Sequence, residues 1–322
     1  MSKRYSASII ELEGESVLRL RDEQTDCTVD IAPGIGMNVI RYARGGRDII
    51  LPPLSLAQLR RWPTRFGIPV LSPPGRVSGG RFQYAGRSYQ LPLTHGPHHV
   101  HGEIGRLPWE LKRHGASAAE GAFAEAVYAY DRDPQRYAYF PHKLECRLTY
   151  SVRDGDLYLQ GSAFNGGECT VPLALGFHPY FVFSGGLKDV VLYAPPCAEW
   201  PRDGEGQAAG LPVPTGLTQR LEEGLPLGEM NSDLAFLRLE SKESVWVIED
   251  RPAARRLLLR TDPLFSNMVL FKPSWANAIS LEPHSCVPDA CNLPWDGEET
   301  GARGLDSGSA RLFSWSIQVN ER

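Results

Sequence analysis

Apolar residues in this chain recur at every second position, and that period decides most of what it can fold into. In KLECRLTYSV, Leu144, Cys146, Leu148, Tyr150 and Val152 alternate with polar neighbours. An extended strand points successive side chains to opposite faces, so this spacing puts all five on one face. Asp154-Gly155 follows, a two-residue hairpin signal, and the alternation resumes in DLYLQGSAFN. RFQY, Ala85-Gly86 and RSYQL predict a second hairpin in the same way. ESVWVIE, NMVLF, NAISLE and LFSWSIQV add strand-like runs rich in β-branched and aromatic residues. With 32 Gly and 26 Pro to interrupt them, long helices have little room.

Two segments test that reading. SLAQLRRW has a Ser at its start and a Pro after its end, which predicts one or two helical turns over 55–62. AFAEAVYAY is rich in Ala, yet Phe123, Val127, Tyr128 and Tyr130 favour a strand, as do its neighbours. The pattern predicts an all-β sandwich with few short helices. No sharp boundary divides the chain, so residues 1–322 are expected to form one domain. The tract 201–230, dense in Gly, Pro and Glu, is expected to be a surface excursion bordering a cleft.

Charge and cysteine content exclude several classes. A formal charge of -4 with scattered Lys and Arg gives no footprint for nucleic acid or a membrane surface. Six cysteines without CxxC spacing argue against a zinc knuckle or a redox motif. The first residues lack the roughly 7–15 apolar residues of a signal peptide, and no run approaches the ~20 of a membrane span. The expectation is a cytoplasmic protein with reduced cysteines. GxSxG, GK[ST] and a complete dinucleotide fingerprint are all missing, which leaves no nucleotide cofactor to expect.

Three distant segments carry ionisable residues beside Gly or Pro. They are His101 in HHVHGEIG, His178 in GFHPYF and Glu282 in ISLEPHSC. One carboxylate and two imidazoles suffice for general acid–base chemistry, in which one group takes a proton while another gives one. His178 sits in an apolar run before a Pro that removes the next amide donor, and Glu282 is expected to end its strand at Pro283. If the carboxyl is partly buried, its pKa rises toward the range of a general base. His95, His98, His99 and His101 invite a metal reading, with His99 and His101 on one face if the segment is a strand, but no HExxH or nearby carboxylate or thiolate spacing supports it, and His95 and His98 fit a solvated loop. No metal or organic cofactor is expected.

These segments, in this order, resemble the aldose 1-epimerase (galactose mutarotase-like) superfamily over most of the chain. The resemblance is carried by PPGRVSGGRFQYAGRSYQLP, the HG and PWEL segments, Phe140-Pro141, GFHPYF, MNSDLAF, LEP with PDA, and the closing LDSGSARLFSWSIQV. The GFHPYF form is that of a bacterial branch and differs from the best-known galactose mutarotases. The resemblance implies a large antiparallel β-supersandwich and an isomerase that interconverts α and β anomers. It implies Glu282 as the base acting on the anomeric hydroxyl and His178 as the acid at the ring oxygen. His101, Arg76 and Asp233 match substrate-holding positions. The implied partner is a monosaccharide or a sugar phosphate, on a monomer or homodimer, with Arg81, Arg87 or Arg106 as candidates for a phosphate contact. The resemblance leaves two alternatives open: a hexose-6-phosphate 1-epimerase, or a carbohydrate-binding protein without activity on the same scaffold. Glu282 and His178 are expected to face each other across one pocket, with Trp62, Trp109, Trp275 and Tyr180 available to stack on a sugar.

Overall fold

The structure, a computed structural model, describes residues 4–183, 185–231, 233–242 and 244–321. Antiparallel strands dominate it. Tyr5–Leu12, Glu15–Asp22, Cys27–Ala32, Asn38–Arg44 and Arg47–Asp48 form a five-stranded meander. A nine-stranded sheet runs from Glu110–Ser117 at one edge, through Leu144–Arg153 and Ala310–Glu321, to Leu225–Pro226 at the other. A seven-stranded sheet packs against it and carries Leu234–Leu239, Asn267–Phe271 and Ala278–His284 at its centre.

The alternation seen in the sequence is what joins the layers. Leu144, Cys146, Leu148, Tyr150 and Val152 are all buried, while the residues between them are not. From the facing sheet, Phe177, Ile279 and Leu281 enter the same core. Phe177 packs edge-on against Trp315 at 5.5 Å between ring centroids, an arrangement favoured by the aromatic quadrupole. Both expected hairpins form, with Asp154, Gly155, Ala85 and Gly86 in the left-handed region that such two-residue turns require. AFAEAVYAY is strand from Gly121 to Ala129, and Tyr130 opens a 3₁₀ turn.

Among the described residues, α-helix is confined to Leu56–Arg61, Pro134–Tyr139, Gly216–Glu223 and Gly297–Thr300. The first has the Ser55 cap read from the sequence, its hydroxyl accepting from the Gln58 amide. Gly216–Glu223 lies within the 201–230 tract, stabilised by a reciprocal Thr215–Thr218 capping box and by buried Leu221. The tract also borders a cleft, to which it contributes Glu205, Gly206 and Gln207. All six cysteines are free. No helix among the described residues is long and apolar enough to cross a membrane.

Candidate active site

One register organises the site. Gly176 pairs with His284, and Tyr180 pairs with Ser280, in the same antiparallel ladder. Continued through the three residues between, that register puts His178 directly opposite Glu282. Pro179 and Pro283 flank this pair and have no amide hydrogens, so the ladder opens there. The His178 amide bonds instead to the Pro69 carbonyl at 3.1 Å. Alternation turns Phe177 into the core and His178 outward, and likewise sends Ile279 and Leu281 inward and Ser280, Glu282 and His284 outward.

The outward side chains form the floor of a cleft of about 630 Å³. Val269 and Phe271 extend the floor on one side, and His101, Arg76 and Tyr180 line the walls. A smaller apolar cavity lies behind residues 72–74, but its two acids are engaged: Glu103 is bonded to Arg136 and Tyr139, and Asp289 accepts from the Ser78 amide and from Asn292. The cleft is where unpaired proton chemistry is concentrated.

Hydrogen bonds fix the protons. Ser280 donates its only hydroxyl hydrogen to the Pro179 carbonyl at 2.9 Å, and its oxygen lies 2.7 Å from Nδ1 of His178. Ser280 therefore accepts from Nδ1–H, which leaves Nε2 of His178 as the reactive nitrogen. That Nε2 stands 3.1 Å from Oε1 of Glu282 and 3.3 Å from the Tyr180 hydroxyl. That separation brings the carboxyl within reach of the imidazole nitrogen for proton transfer. Burial pushes Glu282 well above the usual carboxyl range. Burial, aided by the nearby imidazoles of His101 and His284, pushes His178 well below the usual histidine range. Both directions favour the neutral forms, so in the resting pair the proton sits on the carboxyl and not on Nε2 of His178.

His101 is aimed by its neighbours. Its amide donates to the Gly75 carbonyl at 2.8 Å, and the Gly75 amide donates to its Nδ1 at 3.3 Å. Gly102 makes this possible, because a Cβ there would lie 1.8 Å from the Ser72 carbonyl oxygen. Burial, and then Arg106, lower the His101 pKa to about 4. The neutral ring thus carries its hydrogen on Nε2, a donor for an oxygen in the cleft, with its centroid 5.4 Å from that of His178.

Of the expected residues, Glu282, His178, His101 and Arg76 converge on the cleft. His178 and Glu282 do not face each other across it: they touch side by side on its floor, because they are cross-strand neighbours. Glu282 does not end its strand either, which continues through Pro283 to His284. Asp233 lies outside the residues lining the cleft. It is exposed and precedes Leu234 and Phe236, the two residues of that strand that do line the cleft, so it falls on the opposite parity. Arg81 and Arg87 are exposed on the Arg81–Gln90 hairpin, outside the cleft, whereas Arg106 lines it. Trp62, Trp275 and Tyr180 line the cleft, but Trp109 is buried with its indole donating to the Ile104 carbonyl. His99 is buried against the Pro92 carbonyl, while His95 is exposed at the rim.

Two residues of this strand, Ser280 and His284, went unread in the sequence. His284 is fully buried, lines the cleft and has its Nε2 3.2 Å from Oε2 of Glu282, at an angle outside a hydrogen bond. Glu282 is thus bracketed by two imidazoles. The ring fits because Gly176 is opposite: a Cβ there would stand 2.7 Å from His284 Cδ2. Its signal was the i, i+2, i+4 spacing of Ser280, Glu282 and His284, hidden by reading Pro283 as a strand end.

Comparison with known proteins settles the family. The model for aldose 1-epimerase matches residues 19–304. The chain belongs to the aldose 1-epimerase family. Among solved structures, a galactose mutarotase-like protein from Clostridium acetobutylicum superposes with a TM-score of 0.90 at 20% identity, covering 98% of each chain. Galactose 1-epimerase from Lactobacillus acidophilus superposes with a TM-score of 0.80 at 16% identity, again covering 98% of each. At these identities the likeness is one of fold, the galactose mutarotase-like β-sandwich. The uncharacterized protein YihR of Escherichia coli is 23% identical over 231 residues, 69% of this chain and 71% of its own. Membership of the aldose 1-epimerase family supports a sugar epimerase-like role for the cleft.

Proposed function

We propose that residues 1–322 form one catalytic domain that interconverts the α and β anomers of an aldose by ring opening and closure. The observation that carries this reading is the 3.1 Å contact between His178 Nε2 and Glu282 Oε1 on the floor of the cleft. The two oxygens that must exchange protons in anomerisation, the anomeric hydroxyl and the ring oxygen, are bonded to the same carbon. An acid and a base serving them must be close neighbours, as a cross-strand pair is.

The shared proton gives the right stoichiometry. Transfer of that proton from Glu282 to His178 yields a carboxylate and an imidazolium. The carboxylate takes the proton of the anomeric hydroxyl while the imidazolium protonates the ring oxygen. The C1–O5 bond breaks, C1 becomes an aldehyde, and the pair is left as a neutral acid and a neutral imidazole. After rotation about C1–C2, His178 takes back the hydroxyl proton as that oxygen attacks C1, and Glu282 returns its proton to the new anomeric oxygen. Donation from His101 Nε2–H and Arg76 orients the sugar over the pair. A glycosidase would need a second carboxylate positioned across the scissile bond. Among the described residues lining the cleft, the other carboxylate is Glu205, exposed on the 201–230 tract.

Glu282→Gln keeps the shape of the floor and removes the base. Anomer exchange measured by NMR saturation transfer should fall by roughly 10²–10⁴-fold, the usual worth of a positioned proton acceptor. Sugar binding, followed separately by calorimetry, should persist. A variant that turns over at the wild-type rate would remove Glu282 from the chemistry and end this reading.

A further inference from the structure

Many arginines of this protein are matched with carboxylates: Arg19 with Asp30, Arg147 with Glu125, Arg255 with Asp250 and Arg60 with Glu15. The cleft breaks that pattern. Arg61, Arg65, Arg76 and Arg106 all line it, and among the described residues none of the four is paired with a carboxylate. Their contacts are to neutral groups. Arg76 donates to the Glu205 carbonyl at 2.9 Å, Arg106 to the Gly102 carbonyl at 3.4 Å, and Arg61 and Arg65 lie over indole rings. In a chain with a formal charge of -4, this is a local concentration of positive charge at one concavity.

Arg61 and Arg65 stand apart from the proton chemistry, at the far end of a row of rings. Tyr180 stacks on His178 at 4.5 Å, and Trp275 is 5.7 Å from Tyr180. The Arg65 guanidinium is 5.6 Å from the Trp275 ring and 5.4 Å from that of Trp62. Arg61 covers Trp62 as well, at 4.5 Å. A guanidinium between two indoles is held in place before any ligand arrives, which lowers the entropy lost on binding. Its edge N–H groups remain free to donate, in the fork that suits a phosphate, sulfonate or carboxylate. Arg60, one residue away, shows the alternative, since it turns to Glu15 and leaves the cleft. Cations at a helix end also complement the helix dipole. That effect does not account for Arg65, which lies beyond the Leu56–Arg61 helix.

We propose that the Arg61–Arg65 end of the cleft is an anion subsite, and that the substrate is an aldose bearing an acidic substituent on a carbon remote from its anomeric centre. The identity of the carrier as a sugar rests on the function proposed above; the anion site does not. With the reducing end over Glu282 and His178, the substituent reaches past Tyr180 toward Arg65.

The test is calorimetric binding at low salt of glucose, glucose 6-phosphate, its 6-sulfonate counterpart and glucuronate, alongside anomer-exchange NMR on the same four sugars. At least one anionic sugar should bind roughly ten- to a hundred-fold more tightly than glucose, the worth of one or two charge-assisted hydrogen bonds. The sugar so preferred distinguishes phosphate, sulfonate and carboxylate. Arg65→Gln, and Arg61→Gln with it, should collapse the ratio between anionic and neutral sugars, as should added salt. Thermal melting confirms that the variants are folded. If no anionic sugar binds more tightly than glucose, or if the ratio survives in the folded double variant, the subsite is overturned. A preserved anion preference without accelerated anomer exchange on any sugar would sink the isomerase reading and leave the subsite standing.

Discussion

The two faces of the seven-stranded sheet are made by the same strands, one residue out of step, and they obey different rules. On the inner face, Phe177, Ile279 and Leu281 are apolar and pack into the core shared with the opposite sheet, where the unpaired polar atoms are ring substituents such as the Tyr150 hydroxyl and the Trp315 indole N–H. On the outer face, His178, Glu282 and His284 are as deeply buried, at 4%, 2% and 0% exposure, but they are polar. Neither nitrogen of His284 makes a hydrogen bond. A buried donor or acceptor without a partner costs about 1–3 kcal/mol. Phe177, Ile279 and Leu281 contribute no ionisable side chain to the core, whereas the outer face holds three such side chains buried side by side. Stability is made on one side of the sheet and given up on the other to hold acid and base out of water.

Acid should expose this difference most strongly. His178, His284 and His101 have folded-state pKa values below the histidine norm, because burial penalises the imidazolium. The unfolded chain, with ordinary histidines near ~6.5, then binds more protons than the native state as pH falls. Their contribution to stability is full above that value and is lost as pH drops toward the folded values, about 4 for His101. Glu282 works in the opposite sense: its raised pKa favours the fold below the ordinary carboxyl value and costs stability as pH rises. Summed over three imidazoles, acid destabilisation should exceed the effect of any one substitution below. His99 and His142, buried outside the cleft, act in the same direction. The share of His284 is therefore the difference in slope between wild type and His284→Asn in melts from neutral to mildly acidic pH. Equal slopes would mean that His284 is not held neutral.

On the inner face the largest single effect should come from Leu281→Ala. Removing a fully buried leucine from a packed core costs about 2–5 kcal/mol, as lost transfer energy plus the cavity left behind. Denaturant titration should show this loss, with anomer exchange in the folded fraction close to wild type. Glu282, the next residue, should behave in reverse, with large losses in rate and none in stability. If Leu281→Ala were as damaging to rate as to stability, the faces would not be separable.

How much of this was legible in the sequence follows from the periods involved. Alternation was enough for the Leu144–Arg153 strand and for two hairpins, because a period of two survives without knowledge of partners. The Pro134–Tyr139 and Gly216–Glu223 helices were not expected, since they are short and sit where Pro and Gly dominate. Their caps, Asp133 and Thr215, were visible but easily taken for loop residues. In the site, Glu282, His178 and His101 could be named from motifs. Their contact could not, because cross-strand register depends on the whole sheet. Ser280 and His284 were hidden by reading Pro283 as the end of a strand that continues to His284, and Asp233 falls one step of parity from the residues that line the cleft.

Ser280 offers the finest probe of the comparison, because it lies on the outer face yet its hydroxyl bonds to no cleft residue other than His178. It is fully buried and joins His178 Nδ1 to the Pro179 carbonyl. Ser280→Ala removes the acceptor that keeps the Nδ1 hydrogen in place. A buried Nδ1–H without a partner is unfavourable, so the ring is driven toward the tautomer with its hydrogen on Nε2. That nitrogen then cannot accept the proton it shares with Glu282. The stability change should be small, about 1 kcal/mol, since one hydrogen bond is lost and little volume. Anomer exchange should fall by roughly ten-fold through the weakened pair, the same energy read as a rate. Ser280→Thr keeps the hydroxyl and should restore most of the rate. The imidazole ¹⁵N shifts report the tautomer directly: Nδ1 should be protonated in the wild type and lose that proton in Ser280→Ala. Unchanged shifts in the alanine variant would show that the backbone and Tyr180 fix the ring without help, and that Ser280 belongs with the inner face as packing alone.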